Sequence, residues 1–265
     1  METVIFSKWI KNKTVVTEGA SLCIGVFDGV HLGHKAIFNE CITGSDYPVI
    51  MTFNKNPKMS LGRQKKVKAL NTREQRFDLF EKMGFKLQVI IDFSPEIRNL
   101  SADEFISLLY TKLNLKKLIV GEDFKLGSHK SQAGPRELEK IMNRFQKDSK
   151  VIIAKPVLSD SGEIISSSIL RELIVKGSLD VVQSLLGNSY QLDLGLTPSQ
   201  SFGGELFIKK DDLQQLVPKE GVYEGYWDED NLETTIYIDS KYLKVSPILA
   251  SFKKNRFLRI TQKKG

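Results

Sequence analysis

Short apolar runs alternate with stretches of helical periodicity through the first 187 residues. Ser21-Leu-Cys-Ile24 predicts a buried strand, and Lys35-Ala-Ile-Phe-Asn-Glu-Cys41 predicts a helix that opens at Leu32. Residues 49–53, 87–93, 118–120 and 151–154 are further apolar strand candidates. Thr72 with Gln75, and Ser101 with Glu104, have capping-box spacing, in which hydroxyl and distal side chain satisfy each other's backbone donors. Gly84 closes the first of these helices, and the second runs to about Lys112. Residues 136–146, 168–176 and 179–186 complete the helices, the last capped by Ser178 and stopped by Gly187. Such alternation predicts an α/β fold with a parallel, doubly wound sheet.

The pattern then changes. Residues 205–208, 221–227, 233–238, 242–245 and 257–261 are short, alternating and aromatic-rich, with turn residues between them. They predict a small antiparallel sheet or barrel. A boundary near 187–198 divides the chain into domains 1–187 and 188–265, with no internal repeat or low-complexity segment.

Hydrophobic content of 41% and charged content of 27% describe a globular chain. No apolar run approaches the roughly 20 residues of a membrane span. The N-terminus lacks the basic start and apolar core of a signal peptide, so a cytoplasmic protein is expected. Cys23 and Cys41 are expected to be reduced and structural. The net charge of +7 is uneven: residues 188–265 hold 11 basic and 11 acidic side chains, so the whole surplus lies in 1–187. A basic half suits a polyphosphate ligand, suits RNA or DNA, and equally suits a solvated lysine-rich surface. Charge does not choose among them.

The candidate chemistry sits at Ile24-Gly-Val-Phe-Asp-Gly-Val-His-Leu-Gly-His34, between the first strand and its helix. A helix start presents unpaired N–H groups and a positive dipole end, a natural seat for phosphate. Gly25, Gly29 and Gly33 are read as letting the backbone turn and a ligand approach. His31 and His34, at i and i+3, share the first helical turn. The pattern is neither G-x-G-x-x-G nor a P-loop. A zinc site from His31, His34 and Cys41 lacks paired ligand spacing, so no protein metal site is expected.

Gly25-x-Phe27-Asp28-Gly29-Val30-His31-Leu32-Gly33-His34 resembles the HxGH signature of nucleotidyltransferases, in the form found in prokaryotic FAD synthetases. Those are usually bifunctional riboflavin kinase/FMN adenylyltransferases. Leu100-Ser-Ala-Asp-Glu-Phe105, Leu118-Ile-Val-Gly-Glu-Asp-Phe-Lys-Leu-Gly127 and Ile165-Ser-Ser-Ser-Ile-Leu-Arg171 resemble further segments of that family, in order, so the likeness covers about residues 20–190. The resemblance implies a Rossmann-like adenylyltransferase domain that makes FAD from FMN and ATP, with Mg²⁺ carried by phosphates and water. It implies that His31, His34 and Arg171 act on the ATP phosphates with Ser167 and Ser168. Gly25, Phe27, Asp28, Gly33, Gly121, Asp123 and Phe124 would bind ATP, and Phe53, Asn54 and Pro57 the flavin. Apart from the resemblance, the serines read as a helix N-cap cluster and Arg171 as a surface arginine.

Two departures stand out. Val26 occupies a position that is usually Asn in the family, and Thr52-Phe-Asn-Lys-Asn-Pro57 replaces T-F-x-P-H-P. The kinase motif G-x-P-T-A-N has no counterpart, although Leu216-Val-Pro-Lys-Glu-Gly-Val-Tyr223 resembles the entry to the kinase barrel. Residues 188–265 are therefore expected to form a shortened barrel without riboflavin kinase activity. Two alternatives stay open: an HxGH enzyme with another phosphorylated acceptor, or a non-catalytic flavin- or nucleotide-binding protein. Small-molecule substrates are expected, with no nucleic acid and no membrane partner.

Overall fold

A computed structural model describes the chain except residues 54–67, 93, 129–130, 196, 230, 249–255 and 264–265. Six strands form a parallel sheet: β1 (Glu2–Ile5), β2 (Val16–Ile24), β3 (Tyr47–Phe53), β4 (Leu87–Ile91), β5 (Leu113–Gly121) and β6 (Lys150–Ala154). Their spatial order is β1-β4-β3-β2-β5-β6. The chain moves outward from β2 through β3 to β4, then returns to the other side of β2 for β5 and β6. That reversal places the carboxyl ends of β2 and β5 side by side, the position where such Rossmann-like sheets bind ligands.

Both faces of the central strands are covered, so β4 is buried at every residue and reads as a continuous apolar run. The core joins Leu22, Ile24, Val49, Met51, Val89, Leu118 and Val120 to helix residues Phe105, Ile106, Leu109, Leu138 and Met142. β1 went unrecognised in the sequence because it is four residues long and mostly exposed.

Seven antiparallel strands form a curled half-barrel: β7 (Tyr190–Asp193), β8 (Ser199–Phe202), β9 (Glu205–Lys209), β10 (Gly221–Trp227), β11 (Glu233–Ile238), β12 (Tyr242–Ser246) and β13 (Phe257–Lys263). Their order is β7-β13-β10-β11-β12-β9-β8. Alternation sends Leu206, Ile208, Tyr223, Trp227, Ile236, Leu243, Val245, Leu258 and Ile260 inward. β8 carries no such alternation, being exposed at every residue, and could not be read from the pattern.

Both capping boxes form. Thr72 N–H donates to Gln75 Oε1 at 2.9 Å and Gln75 N–H to Thr72 Oγ1 at 3.2 Å, and Ser101 with Glu104 repeats the exchange. Ser166 caps the helix Ser167–Lys176 through Ile169 N–H at 3.3 Å. The expected cap at Ser178 is corrected: it precedes Leu179–Leu186, but its ψ of 64° departs from extended geometry and its side chain makes no capping bond.

Packing groups the chain into two compact units that interleave along the sequence. One comprises Met1–Phe27, His34–Lys66 and Phe77–Val157 and contains the parallel sheet. The other comprises Asp28–Gly33, Val67–Arg76 and Leu158–Gly265 and contains the antiparallel sheet with helices Ser167–Lys176 and Leu179–Leu186. Among the described residues no helix is long and apolar enough to cross a membrane.

Candidate active site

The HxGH turn leaves β2 at Ile24 and enters the helix Leu32–Ile42. Phe27 and Val30 take positive φ of 51° and 29°, a costly backbone for side chains of this bulk. Strain is thus concentrated within the motif. The glycines let the turn pack closely against neighbouring side chains. A Cβ at Gly25 would lie 2.7 Å from the Phe27 ring, one at Gly29 (φ 90°) 2.7 Å from Leu70, and one at Gly33 3.1 Å from His31 Nδ1. The space they vacate is filled by the protein's own side chains.

In the second unit the turn is fixed by Asp28. Its Oδ1 accepts from Leu70 N–H at 2.9 Å and Asn71 N–H at 3.2 Å, and its Oδ2 accepts from Arg171 Nη2. Arg171 Nη1 donates to Ser167 O at 3.1 Å, while Ser167 Oγ donates to Asp28 O at 2.7 Å. Asp28, Ser167 and Arg171 therefore form one closed bracket, although 143 residues separate its two charged members. These bonds use only part of the guanidinium fork, which keeps further N–H donors. Ser168, by contrast, is exposed.

His31 is 5% exposed and stands in the field of Asp28. Burial pushes its pKa down to about 4, against a smaller upward pull from Asp28. At neutral pH the imidazole carries no charge and donates from one nitrogen. The folded pKa lies below the ordinary value of 6.5, so the unfolded chain takes up this proton first as pH falls. Stability from His31 is therefore complete above about pH 6.5 and lost as pH falls to 4, by roughly 3 kcal/mol. A His31→Asn variant should lose less in melting temperature than the unmodified protein between pH 7 and 4.5. Equal losses in the two proteins would contradict the shift.

In the first unit, His34 packs edge-on to Phe27 with ring centroids 5.3 Å apart, and stacks on Phe38 at 6.4 Å. Gly25 N–H donates to Met51 O at 3.1 Å, tying the turn's start to β3. Gly121 ends β5 and turns back through Phe124 N–H to Gly121 O at 3.1 Å, with Asp123 exposed between them. Phe53 ends β3 and is half-buried. Phe53, Gly25 and Gly121 thus lie at the carboxyl ends of three adjacent strands. The flavin-side expectations at Asn54 and Pro57 fall outside the described residues.

Sequence reasoning missed Arg76, which is 8% exposed and lies in the field of Asp28. Burial lowers its pKa, while Asp28 opposes that shift. Its place one turn after Thr72 was a signal, but nothing local distinguishes a buried arginine from a surface one. Among the described residues no group of three or more His, Cys, Asp or Glu is placed to hold a metal ion. Asp28, the carboxylate at the turn, is already engaged by two amides and a guanidinium.

A family model for FAD synthetase matches residues 13–169. The chain belongs to the FAD synthetase family. Two relatives, each described as a bifunctional riboflavin kinase/FMN adenylyltransferase, extend the match. That of Buchnera aphidicola subsp. Schizaphis graminum is 25% identical over 264 residues, covering 95% of this chain and 81% of the relative. That of Haemophilus influenzae is 26% identical over 223 residues, covering 81% and 71% respectively. A Streptococcus pneumoniae crystal structure described as a macrolide-efflux protein superposes with a TM-score of 0.78 at 21% identity, covering 100% of both chains, and shows the shared fold. Within the FAD synthetase family this chain is a nucleotidyltransferase, and the family's substrates are ATP and FMN.

Proposed function

We propose that this chain makes FAD by transferring the adenylyl group of ATP to FMN, and that it does not phosphorylate riboflavin. The bracket of Asp28, Ser167 and Arg171 carries this reading, with the buried neutral His31 in the field of its carboxylate. An FMN phosphate oxygen attacks the α-phosphorus of ATP, the bond to the β-phosphate oxygen breaks, and pyrophosphate leaves. No covalent enzyme intermediate is needed, so the protein's work is positioning and charge stabilisation.

In this reading Arg171 supplies positive charge and a planar fork of donors to phosphate oxygens. His31 adds an uncharged donor, and His34 a second imidazole at the helix start. Ser168 offers a hydroxyl, while Ser167, whose one O–H goes to Asp28 O, holds the turn. Gly25, Phe27, Asp28 and Gly33 shape the phosphate turn, and Gly121, Asp123 and Phe124 serve the adenosine. By the family resemblance, Phe53, Asn54 and Pro57 would serve the flavin. Mg²⁺ would neutralise the phosphates while held by substrate oxygens and water, consistent with the engaged state of Asp28. Residues 1–187 form the adenylyltransferase domain and 188–265 a kinase-like β domain without the kinase motif.

One assay tests both clauses. The protein is incubated with Mg-ATP and either FMN or riboflavin, and the flavins are separated by chromatography. FMN should yield FAD and pyrophosphate, while riboflavin should remain unchanged. Absence of FAD sinks the adenylyl reading; FMN formed from riboflavin sinks the second clause.

A further inference from the structure

A buried polar path runs from the antiparallel sheet to the bracket that holds Arg171. Arg256 donates to Asp193 through Nε and Nη2, each at 2.7 Å. Thr72 Oγ1 donates to Asp193 Oδ2 at 2.7 Å, across 121 residues of sequence. Gln215 accepts from Asp193 N–H at 2.7 Å and donates to Leu70 O at 2.9 Å. Ala69 joins the same surface by backbone bonds, donating to Gln214 O at 3.1 Å and accepting from Leu216 N–H at 2.8 Å. The next amides, Leu70 and Asn71, hold Asp28, and Asp28 holds Arg171.

Thr72, Asp193 and Gln215 are 5%, 7% and 1% exposed. Burial works to raise the Asp193 pKa, but donors on Arg256, Thr72 and Gly195 outweigh it and keep the carboxyl below its usual range. Polar groups this deeply buried are costly unless fully paired, and paired networks fix one geometry. Apolar residues would bind the 69–72 segment to the sheet with less specific geometry. The arrangement instead dictates where the Leu70 and Asn71 amides point.

We infer that the antiparallel sheet, in a chain that lacks the kinase motif, positions the adenylyl-transfer machinery, with Asp193, Gln215 and Thr72 as positioning residues that set Arg171 through Asp28. The inference rests on the adenylyl-transfer reading above. It gives residues 188–265 a role in the reaction that needs no second substrate.

The test uses the full chain and two cuts in the path, Thr72→Val and Gln215→Leu, with Thr72→Ser as the conservative control. Each variant is first melted by circular dichroism and then assayed well below its own transition. The expected result for each cut is a kcat for FAD formation lower by about tenfold with little change in the KM for ATP, because misplacement of Arg171 matters most in the transition state. Thr72→Ser should stay within about twofold of the unmodified protein, since it keeps the hydroxyl. The double variant should be no slower than the slower single one, as expected for residues acting along one path. Folded cuts with an unmodified kcat, or losses that multiply in the double variant, would overturn the inference. Where Gln215→Leu does not fold, Gln215→Met takes its place, since it keeps the length of the side chain without the amide. Thr72→Val also removes the helix cap on Gln75 and is read beside it. Absence of FAD from the unmodified chain would remove the adenylyl reading and this inference together; FAD from that chain with unaffected cuts would remove the inference alone.

Discussion

Replacing His31 by alanine should lower the rate of FAD formation by about 10²–10³, the loss that follows removal of a transition-state hydrogen-bond donor. The side chain is 5% exposed and kept neutral by burial, so its donor works in a medium where water competes poorly. Gly33 leaves just enough room for the ring, since a Cβ there would stand 3.1 Å from His31 Nδ1. The imidazole is therefore held in place before substrate arrives. Such a group is felt more in the transition state than in the bound ground state, so kcat should fall while the KM for ATP moves little. Steady-state kinetics on folded His31→Ala protein check this. Near-normal turnover would remove His31 from the mechanism.

Phe38→Ala should destabilise the protein by roughly 3–5 kcal/mol, the usual cost of emptying a buried aromatic site. Phe38 is fully buried and meets Phe27 at 4.8 Å, Phe80 at 5.5 Å and Phe85 at 5.5 Å, each edge-to-face. It also stacks on His34 at 6.4 Å. The loss is a large fraction of the 5–15 kcal/mol or so that holds a typical domain folded. Calorimetry should show a melting temperature lower by roughly 6–20 °C. FAD formation should fall even below that transition, because Phe27 and His34 lose the ring that both pack against. Phe38→Leu, which keeps most of the volume, should cost much less. An unchanged melting temperature in Phe38→Ala would show that this cluster does not support the first unit.

The parts of this protein legible in its sequence are those encoded over short spacings. The capping boxes at Thr72 and Ser101 join residues three apart, so residue type alone announces them. Alternation in β10 and β11 reveals their inward faces because a strand has a period of two. The apolar run of β4 reflects burial on both faces of a parallel sheet. The glycine-flanked histidines marked the turn for the same reason: a strand, a sharp reversal and a helix start succeed one another within a dozen residues.

Other features depended on which distant segments the fold makes neighbours. The side chains that crowd the three glycines, Phe27, Leu70 and His31, are identified by the fold and not by glycine spacing. By residue type Arg171 is a surface arginine and only the family resemblance places it at the phosphates. The fold pairs it with Asp28, and brings Asp193 to the hydroxyl of the Thr72 cap. The sequence by itself determined the buried strands of the two sheets, the capped helix starts at Thr72, Ser101 and Ser166, and the turn between β2 and its helix, because local periodicity and i to i+3 bonds write themselves into residue order. Only the tertiary structure decided which charges are paired and that burial keeps His31 neutral. The pairs Asp28–Arg171 and Thr72–Asp193 join residues more than a hundred positions apart, and no local spacing records them.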